Sequence, residues 1–368
     1  MTESAAALRI VVAGGGTGGH LYPGIAVARE IMRQRPGALV TFAGTAKGIE
    51  SRVVPREGFE LDVIRSGGLK GKTVGQRLAG LLLLPVSASD AWRVVSRRRP
   101  HLVIGVGGYS SGPVVALAAL RRVPTLLLEQ NAVPGLTNRL LAPLVRQAAV
   151  TYDTTLPFFR GKGFVAGNPV RAEFVGPQGD LDGSSAPARA LRVLIFGGSQ
   201  GAHAINVACV EAAPKLAASP TPLAVVHQTG DRDLAMVRQG YERAGLAARV
   251  EPFLFEMDRE MKAAELVVCR AGATTLAEIT AAAKPSILVP LPTATDDHQR
   301  KNAEVLARAG AAEVIDQTEL SGNRLAVRIF ALAADAEGRQ RMSDAARLLA
   351  RPDAARVIAA RAIALAGT

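Results

Sequence analysis

Three glycines near the N-terminus have the spacing of a phosphate-binding loop. Gly14, Gly16 and Gly19 follow a run of β-branched apolar residues and precede a stretch with helical periodicity. Because glycine has no Cβ, backbone N–H groups and the positive end of the next helix can approach a phosphate. A dinucleotide site would also need an acidic residue at the end of the second strand, but no acid occurs there before Glu50. The motif therefore indicates phosphate binding, with a purely structural turn as the alternative.

Two further glycine loops follow predicted strands, at Gly105–Gly112 and Gly197–Gly201. Tight turns alone do not require so many glycines. The loops suit a protein that binds two diphosphates, one in each half of the chain. Each contact of a phosphate with an exposed helix N-terminus contributes about 0.3–1 kcal/mol, so several contacts together can bind a diphosphate without a metal ion.

A segment of the second half has side chains that suit a nucleotide sugar. The sequence VVCRAGATTLAEI predicts a strand, a turn and a helix that Thr274 or Thr275 caps. Glu278 follows one turn into that helix, where it could accept both hydroxyls of a ribose or only complement the helix dipole. Three polar residues farther along could bind sugar hydroxyls or face solvent: His298, Gln299 and Asn302.

The sequence predicts no metal site and no cofactor. The five histidines are scattered without the spacing of metal ligands. Asp231-Arg232-Asp233 has the D-x-D pattern of metal-dependent sugar-nucleotide enzymes, but it follows a glycine and begins a helical stretch. We therefore interpret these aspartates as helix N-caps.

The chain repeats its opening motif half a chain later, since LRIVVAGGGTGGH at 8–20 matches LRVLIFGGSQGAH at 191–203 without a gap. Each copy combines an apolar strand, a glycine turn and a helix, as at the start of a Rossmann-like domain. Apolar strands then alternate with helical patterns, which predicts parallel sheets covered by helices. The predicted fold class is α/β, with two Rossmann-like doubly wound parallel-sheet domains facing a central cleft that binds the ligands.

The patterns also give element and domain bounds. We predict an N-terminal domain at 1–175, a Gly/Pro/Ser-rich linker at 176–190, a C-terminal domain at 191–340 and a helical segment at 341–368. The sequence does not indicate which domain that last segment packs against. Besides the two opening strands, the predicted strands are Ala38–Ala43, Leu102–Val106, Thr125–Leu128, Gln147–Thr151, Leu223–Gln228, Val250–Phe253, Leu266–Cys269, Ser286–Pro290 and Ala312–Ile315.

Composition and charge narrow the functional class. Hydrophobic residues make up 48% of the 368 residues, enough for two cores, so disorder is excluded. Two cysteines in apolar stretches fit a reduced compartment, and the N-terminus lacks the features of a signal peptide. The formal charge of +12 indicates an anionic partner such as a phosphorylated substrate or an anionic lipid. No nucleic-acid motif accompanies the basic residues, so we predict no nucleic-acid partner.

The segment from 68 to 99 combines basic residues with leucines. Such a surface suits an anionic membrane, where each cation contributes about 1 kcal/mol. One more core helix is the alternative interpretation. No apolar run in the sequence has the roughly 18 residues of a membrane span, so docking would be peripheral. The residues predicted to dock are Lys70, Lys72, Arg77, Leu78, Leu81 and Leu82.

Seven motifs occur in order along the chain: GGGTGGHLYPGIAVA, GGYSSGP, EQNAVPGLTNR, GNPVR, GGSQGA, CRAGATTLAEI and DDHQRKNA. Together they closely resemble the MurG family of N-acetylglucosaminyltransferases, which convert lipid I to lipid II in peptidoglycan synthesis. The resemblance covers nearly the whole chain, from about Arg9 onward. It implies an inverting GT-B enzyme, without a required metal, on the cytoplasmic face of the plasma (inner) membrane. The implied partners are UDP-N-acetylglucosamine, lipid I, the anionic membrane surface and, as candidates, other cell-wall synthesis proteins.

The resemblance implies that the C-terminal half binds the donor, UDP-N-acetylglucosamine. The family often has glutamine where His298 stands, which weakens a proton-transfer role for this histidine. The implied donor ligands are the diphosphate contacts Arg171 and Ser199, the uracil-binding backbone of Leu254, the helix N-terminus Ala273, Thr274 and Thr275, the ribose ligand Glu278, and the sugar-proximal His298, Gln299 and Asn302.

The resemblance also implies that the N-terminal half binds the lipid-linked acceptor. His20 is the first candidate for the base that deprotonates the acceptor hydroxyl, because imidazole titrates near neutrality, and phosphate binding is its alternative role. Glu129 is the second candidate, and could instead orient its neighbours. The implied acceptor ligands are Gly14, Gly16, Thr17, Gly18, Gly19, Gly107, Gly108, Tyr109 and Asn131.

Three other functions compete with this interpretation. Another UDP-sugar enzyme on the same fold, such as a nucleotide-sugar epimerase or a glycolipid synthase, would share the donor motifs. A non-catalytic membrane scaffold could retain a nucleotide site, although the donor motifs are more complete than a decayed site predicts. A dinucleotide oxidoreductase is weakened by the missing acid after the second strand.

Overall fold

The computed structural model describes residues 7–67, 83–175, 190–198 and 200–367. The chain forms two compact units, Met1–Arg171 with Arg351–Thr368, and Ala172–Ala350. The end of the chain therefore belongs to the first unit, which the sequence could not indicate. The boundary expected at 340 falls inside a helix, Ala336–Leu349, and the linker expected at 176–190 lies outside the described residues except for Ala190.

In the described part of the first unit, seven strands form one parallel sheet in the order β3-β2-β1-β4-β5-β6-β7. The strands are β1 Arg9–Gly14, β2 Leu39–Gly44, β3 Glu60–Val63, β4 Leu102–Gly107, β5 Thr125–Glu129, β6 Gln147–Val150 and β7 Gly163–Val165. In the register of β1, Ile10 lies opposite Val40 of β2 and Leu102 of β4. Because the chain runs outward from β1 in both directions, the carboxyl ends of β1 and β4 form the switch point where ligands bind in such sheets.

Helices cover both faces of this sheet: α1 Gly18–Gln34, α2 Glu50–Arg56, α3 Leu84–Arg98, α4 Ser111–Leu120, α5 Leu136–Leu141 and, from the end of the chain, α13 Ala354–Ala366. Successive side chains of β1 point to opposite faces. Ile10 and Val12 pack with α1 and α13, whereas Val11 and Ala13 pack with α3 and α4. Full burial of each valine or isoleucine is worth about 1.5–3 kcal/mol, so both helical layers are held by β1.

The second unit repeats this architecture with six described strands in the order β10-β9-β8-β11-β12-β13. The strands are β8 Leu191–Phe196, β9 Leu223–Gln228, β10 Ala248–Glu251, β11 Leu266–Cys269, β12 Ser286–Leu288 and β13 Ala312–Val314. All pair in parallel, and β8 has β9 on one side and β11 on the other. Its switch point therefore lies at the carboxyl ends of β8 and β11.

Its helices are α6 His203–Ala217, α7 Leu234–Ala244, α8 Met257–Ala263, α9 Ala273–Ala281, α10 His298–Arg308, α11 Gly322–Ala334 and α12 Ala336–Leu349. Val193 and Ile195 of β8 pack with α6, α7 and α11, whereas Leu194 and Phe196 pack with α8, α9, α10 and α12. The two predicted doubly wound parallel sheets are thus confirmed. The sequence missed β3 and β7, because these short strands lie at or near the sheet edge and lack a continuous apolar run.

Candidate functional site

Two glycine turns meet at the switch point of the first sheet. The first glycine turn, residues 14–17, follows β1, and the second glycine turn, residues 107–109, follows β4. A Cβ on Gly14 would lie 2.4 Å from the carbonyl oxygen of Gly107, and a Cβ on Gly108 would lie 2.5 Å from that of Gly15. Any larger residue would push the turns apart. The structure therefore brings the predicted acceptor glycines Gly14, Gly107 and Gly108 into direct contact, beside Gly16.

α1 begins directly after the first glycine turn. Thr17 is its N-cap, exposed and extended at φ −135°, without a side-chain cap hydrogen bond. Gly18 and Gly19 form its first turn, and a Cβ on Gly18 would lie 3.1 Å from the ring of Tyr22. N–H groups of a first helical turn have no acceptor within the helix, so this turn suits an anion or a hydroxyl oxygen.

His20, also in the first turn of α1, has a defined orientation. Its Nδ1 lies 3.2 Å from Oε1 of Gln130, whose Nε2 donates to the carbonyl of Val106 at 3.1 Å. Since the amide nitrogen is used by that carbonyl, the amide oxygen must accept, which assigns the proton of neutral His20 to Nδ1. Nε2 is then the basic nitrogen. An imidazole held in this tautomer can take a proton from a substrate hydroxyl.

Glu129 ends β5 and is only 3% exposed. Its Oε1 accepts hydrogen bonds from the backbone N–H and the Nδ2 of Asn131, at 3.0 and 3.3 Å. Its Oε2 accepts from the Gly135 N–H at 3.1 Å and from Asn138 Nδ2 at 2.8 Å. Burial raises the pKa of Glu129 above its usual value, against the effect of these bonds. The contacts fit the orienting role that the sequence left open, because this carboxylate fixes the loop before α5.

Two other predicted residues lie in the same unit. Tyr109, in the second glycine turn, is 49% exposed. Arg171 is the last residue of the unit before the chain enters the other, and its guanidinium lies 5.6 Å from the ring centroid of Tyr22 on α1. Arginine commonly stacks on aromatic faces and is also a common phosphate ligand. Arg171, expected as a donor contact, thus belongs to the first unit.

The third glycine turn, residues 197–201, follows β8 in the second unit; Ser199 lies outside the described residues. A Cβ on Gly201 would lie 1.7 Å from the carbonyl oxygen of Thr229, and one on Gly230 would lie 2.2 Å from that of Gln200. The turn therefore packs against the end of β9 as closely as two backbones can.

Gln228, buried at the end of β9, joins this turn to the predicted base-binding position. Its Nε2 donates to the carbonyl of Gly198 at 2.8 Å, and its Oε1 accepts from the N–H of Leu254 at 2.8 Å. Because the Leu254 N–H is used inside the protein, we expect its carbonyl to be the backbone group that meets a base. A single amide thus fixes the distance between the third glycine turn and Leu254.

α9 starts at the carboxyl end of β11. Its N-cap is Gly272, without a side-chain cap hydrogen bond, and the helix begins at Ala273. The prediction that Thr274 or Thr275 caps this helix was wrong, because both already lie in its first turn. Their backbone N–H groups therefore point out of the helix end. Glu278 is buried on the same helix, close enough to Cys269 that its charge, after burial, raises the pKa of that thiol.

α10 follows two consecutive aspartates in left-handed backbone conformation, Asp296 at φ 56° and Asp297 at φ 55°. Such conformations cost about 1–3 kcal/mol each and concentrate at functional sites. They present His298 as the first helical residue, with Nδ1 2.7 Å from the carbonyl of Thr295. Gln299 accepts from the N–H of Leu291 at 3.0 Å. Asn302 is fully buried, so the alternative of a solvated helix face does not apply to it.

The aspartates of the D-x-D segment were predicted to cap a helix with their side chains, and the structure gives Asp233 other partners. Asp233 occupies the N-cap position of α7, but its side chain makes no cap hydrogen bond. Its carboxylate accepts from Asn206 Nδ2 at 2.9 Å and lies 3.0 Å from His203 Nδ1. Burial would raise the pKa of Asp233, but these two partners on α6 hold it below its usual value. Within the described ranges, no group of three or more His, Cys, Asp or Glu side chains could hold a metal ion.

Comparisons with known proteins agree with the division into two α/β units. Residues 10–150 match the glycosyltransferase family 28 N-terminal domain, and residues 192–358 match the glycosyltransferase family 28 C-terminal domain. The chain belongs to glycosyltransferase family 28. The resemblance predicted from its motifs is thereby confirmed. The N-terminal family match extends from β1 to β6, and the C-terminal match spans the second sheet.

Relatives within glycosyltransferase family 28 match over almost the full length. One from Anaeromyxobacter sp. (strain K) is 46% identical over 353 residues, which is 96% of this chain and 91% of the relative. One from Pelobacter propionicus is 43% identical over 370 residues, 95% of this chain and 98% of the relative. Both are named UDP-N-acetylglucosamine--N-acetylmuramyl-(pentapeptide) pyrophosphoryl-undecaprenol N-acetylglucosamine transferase.

Solved structures show the same fold. The crystal structure of Acinetobacter baumannii MurG has a TM-score of 0.79 and 29% identity, covering 97% of this chain and 99% of that chain. The UDP-GlcNAc 2-epimerase from Neisseria meningitidis has a TM-score of 0.69 and 13% identity, covering 97% of this chain and 100% of that chain. Its low identity shows only the shared fold. Family membership and the first of these structures therefore favour a transferase over the epimerase alternative.

The six residues predicted to dock on a membrane lie outside the described residues: Lys70, Lys72, Arg77, Leu78, Leu81 and Leu82. The helix that follows them, α3, exposes Leu84 and Trp92, and Arg121 lies 4.6 Å over the Trp92 ring. Over the part of the chain that the structure describes, no helix is both long and apolar enough to cross a bilayer.

Four buried polar residues that hold the glycine turns and nearby loops in place were not predicted from the sequence: Glu50, Gln130, Asn138 and Gln228. Gln130 and Gln228 had a recognisable signal, because each stands where an apolar strand run ends in a polar residue, TLLLEQ and LAVVHQ. The carboxyl ends of parallel strands are where such side chains reach ligands and turns. Glu50 and Asn138 lie in helices and had no such signal.

Proposed function

We propose that this chain transfers N-acetylglucosamine from UDP-N-acetylglucosamine to the 4-hydroxyl of the muramoyl sugar in undecaprenyl-diphosphate-linked N-acetylmuramoyl-pentapeptide, converting lipid I to lipid II. The observation that carries this proposal is similarity over 95–96% of the chain to relatives named for that reaction. The presence of both family domains supports it, because donor and acceptor each need a binding unit.

The second unit is the proposed donor-binding unit. The first turn of α9, Ala273 to Thr275, directs N–H groups and a positive helix end outward, which suits the diphosphate. The buried carboxylate of Glu278 is the proposed ribose ligand, and the Leu254 carbonyl is proposed to accept from uracil. Further proposed donor ligands are Arg171, Ser199, His298, Gln299 and Asn302.

The first unit is the proposed acceptor-binding unit, with His20 as the base. The acceptor 4-hydroxyl attacks the anomeric carbon of the donor, and its proton passes to Nε2 of His20 as the new C–O bond forms. The bond from the anomeric carbon to the UDP oxygen breaks, and configuration inverts. UDP leaves with its electron pair, and the added negative charge is stabilised by the α9 N-terminus. Glu129 is proposed to hold Asn131 in place rather than to transfer the proton.

We also propose that the enzyme works as a peripheral protein on the cytoplasmic face of the inner membrane. The lipid-linked acceptor requires access to a bilayer surface, and the exposed Leu84 and Trp92, beside arginine side chains, support docking there. A basic sequence with a formal charge of +12 favours anionic lipid. Other cell-wall synthesis proteins are also proposed partners, because they would act on the same lipid-linked substrates.

The test is UDP release by the purified protein with UDP-N-acetylglucosamine, with and without a short-chain lipid I analogue, together with mass analysis of the products. We expect release only with acceptor, and a new disaccharide product. His20→Ala should lower kcat by about 100-fold or more, since general base catalysis contributes about 10²–10⁴-fold. Glu278→Ala should chiefly raise the KM for the donor.

Two other outcomes would reject the proposal. Conversion of the donor sugar without acceptor would identify an epimerase. Donor binding without turnover under either condition would identify a non-catalytic scaffold. A calorimetric titration with UDP-N-acetylglucosamine separates that second outcome from inactive protein.

A further inference from the structure

Glu50 is buried against the first glycine turn, yet no step of the proposed reaction uses it. It is the first residue of α2 and is 0% exposed. Its Oε2 accepts from the Gly16 N–H at 2.7 Å. Its Oε1 accepts from both the N–H and the Oγ1 of Thr45, each at 2.8 Å. One carboxylate thus ties the turn after β1 to the turn after β2.

Three glycines surround this carboxylate closely. A Cβ on Gly15 would lie 2.5 Å from the Glu50 carboxyl carbon, and one on Gly48 would lie 2.1 Å from its Oε2. A Cβ on Gly44 would lie 2.6 Å from the Glu50 Cγ. Real Cβ atoms do not approach other atoms so closely. These glycines therefore provide the space that the Glu50 side chain fills.

The carboxylate is charged inside this enclosure. Burial alone would raise the pKa of Glu50, but the hydrogen bonds from Gly16 and Thr45 outweigh it and hold the pKa below its usual value. The Gly16 N–H therefore points inward to a fixed negative charge. In phosphate-binding loops such an N–H points outward to the ligand. The first glycine turn thus carries its own internal anion.

We infer that Glu50 is a positioning residue, which fixes the first glycine turn and thereby the start of α1 that carries His20. The effect of Glu50 on catalysis rests on the proposed function, in which His20 is the base. The connection is direct, because Gly16 precedes the N-cap Thr17, and His20 follows within one helical turn. Gly15 carries the same constraint to the second glycine turn, since its carbonyl oxygen fills the space of a Cβ on Gly108.

The first test is Glu50→Gln, which keeps the size of the side chain. The glutamine side chain has only one acceptor oxygen, so its NH₂ group must face the N–H of either Gly16 or Thr45. In either orientation, the NH₂ group and a backbone N–H are two hydrogen-bond donors that face each other. We expect the turn to shift and kcat/KM for the acceptor to fall about 10- to 100-fold, the effect of a small misplacement near the reacting groups. The Kd for UDP-N-acetylglucosamine should not change, because the second unit is proposed to bind it.

Glu57→Gln is the matched control. Glu57 lies at the other end of α2, where it pairs with Arg29 at the surface. It should keep the original acceptor kcat/KM. Thr45→Val removes one donor to Glu50 and leaves its charge, so it should give an intermediate loss, and Thr45→Ser should restore activity. This pair keeps the inference testable where Glu50→Gln fails to fold.

Hydrogen exchange provides a readout that does not depend on catalysis. Glu50→Gln should increase amide exchange in residues 15–20 by at least about tenfold, with unchanged exchange in the strands of the same unit. If the unsubstituted protein transfers no sugar, the proposed function fails while this exchange test of Glu50 stands. The inference is overturned if Glu50→Gln leaves exchange and acceptor kinetics unchanged, or if it weakens donor binding and global stability as much as acceptor turnover.

Discussion

A methyl group at Gly107 should displace the imidazole of His20. A Cβ at this position would lie 2.9 Å from Nδ1 and 3.0 Å from Cε1 of that ring, whereas ordinary contacts of a Cβ begin at 3.4 Å. The ring must therefore move, and it regains ordinary contact after a shift of about 0.5 Å, the difference between 3.4 and 2.9 Å. This movement disturbs the 3.2 Å contact from Nδ1 to Gln130, which sets the tautomer. Gly107→Ala thus tests whether catalysis requires a fixed His20.

Two effects of this substitution must be separated. Gly107 has φ +95°, where an alanine is strained by about 1–3 kcal/mol, and this strain lowers stability. The displaced imidazole should separately lower kcat about 10- to 100-fold, or about 1.4–2.7 kcal/mol in the activation barrier. Gly37→Ala is the matched control, since Gly37 has φ +89° and no atom within 4 Å of its Cβ position. It should lose the stability that backbone strain costs and keep its kcat.

The assay is steady-state disaccharide formation at saturating donor and acceptor, with denaturant unfolding of each variant. We expect a low kcat for Gly107→Ala alone. Both variants should lose free energy of unfolding, and Gly107→Ala should lose more, because only its methyl group collides with His20. If Gly107→Ala keeps a kcat within about twofold of Gly37→Ala, the position of the His20 ring does not limit the reaction, and the base must be another group.

Two further predictions concern stability and pH. Arg65 lowers the pKa of buried Asp90 from 3.8 to about 2, so this pair stabilises the fold above about pH 4 and the effect is lost as pH falls toward 2. Because Arg65 is largely exposed, solvent weakens this pair. Asp90→Asn should lower the free energy of unfolding in urea by about 1–2 kcal/mol at pH 7 and by much less at pH 2.5. An equal loss at both pH values would contradict the pairing. Burial lowers the pKa of Lys284 from 10.5 to about 8, so the unfolded chain holds this proton more tightly, and stability rises with pH between about 8 and 10.5. Lys284→Met should therefore stabilise the second unit by about 1–2 kcal/mol at pH 7, even though the hydrogen bond from Lys284 to the Lys262 carbonyl is lost. This gain should shrink at pH 10. Destabilisation at pH 7 would show that the lost hydrogen bond outweighs the burial of charge.

The parts of the site that could be predicted from sequence are those that depend on residues close together in the chain. The apolar run before Gly14 predicts a strand, the glycines predict a turn, and the repeat at 191–203 predicts a second sheet. The partners of that turn could not be predicted, because they come from distant strands and helices. His20 and Gln130 are 110 residues apart, and Gly16 and Glu50 are 34 apart. Such pairs exist only once the parallel strand order brings their carboxyl ends to one edge.

The helix N-caps are a second feature that the local sequence does not determine. Thr274 and Asp233 both have side chains that commonly cap helices, yet neither does so. Gly272 takes the N-cap of α9, and Asp233 turns instead to His203 and Asn206. In each case a competing arrangement within a few ångströms decides the outcome, and the local sequence is compatible with both. Cap residues therefore predict where a helix begins within a residue or two, but not which group satisfies its end.

The two glycine turns that begin the repeat have the same sequence pattern but different side chains behind them, a carboxylate in the first unit and an amide in the second. The first glycine turn directs the Gly16 N–H to the buried anion Glu50, so a second negative charge at this N–H would be repelled. The third glycine turn is instead held by the neutral amide of Gln228, and its neighbour Asp233 lies against His203. Beside it, the first turn of α9 adds a positive helix end. This difference fits the proposal that the second unit binds the anionic leaving group and that the first unit holds the acceptor hydroxyl beside His20. We therefore expect the buried side chain behind each turn, rather than the shared backbone motif, to distinguish the two units.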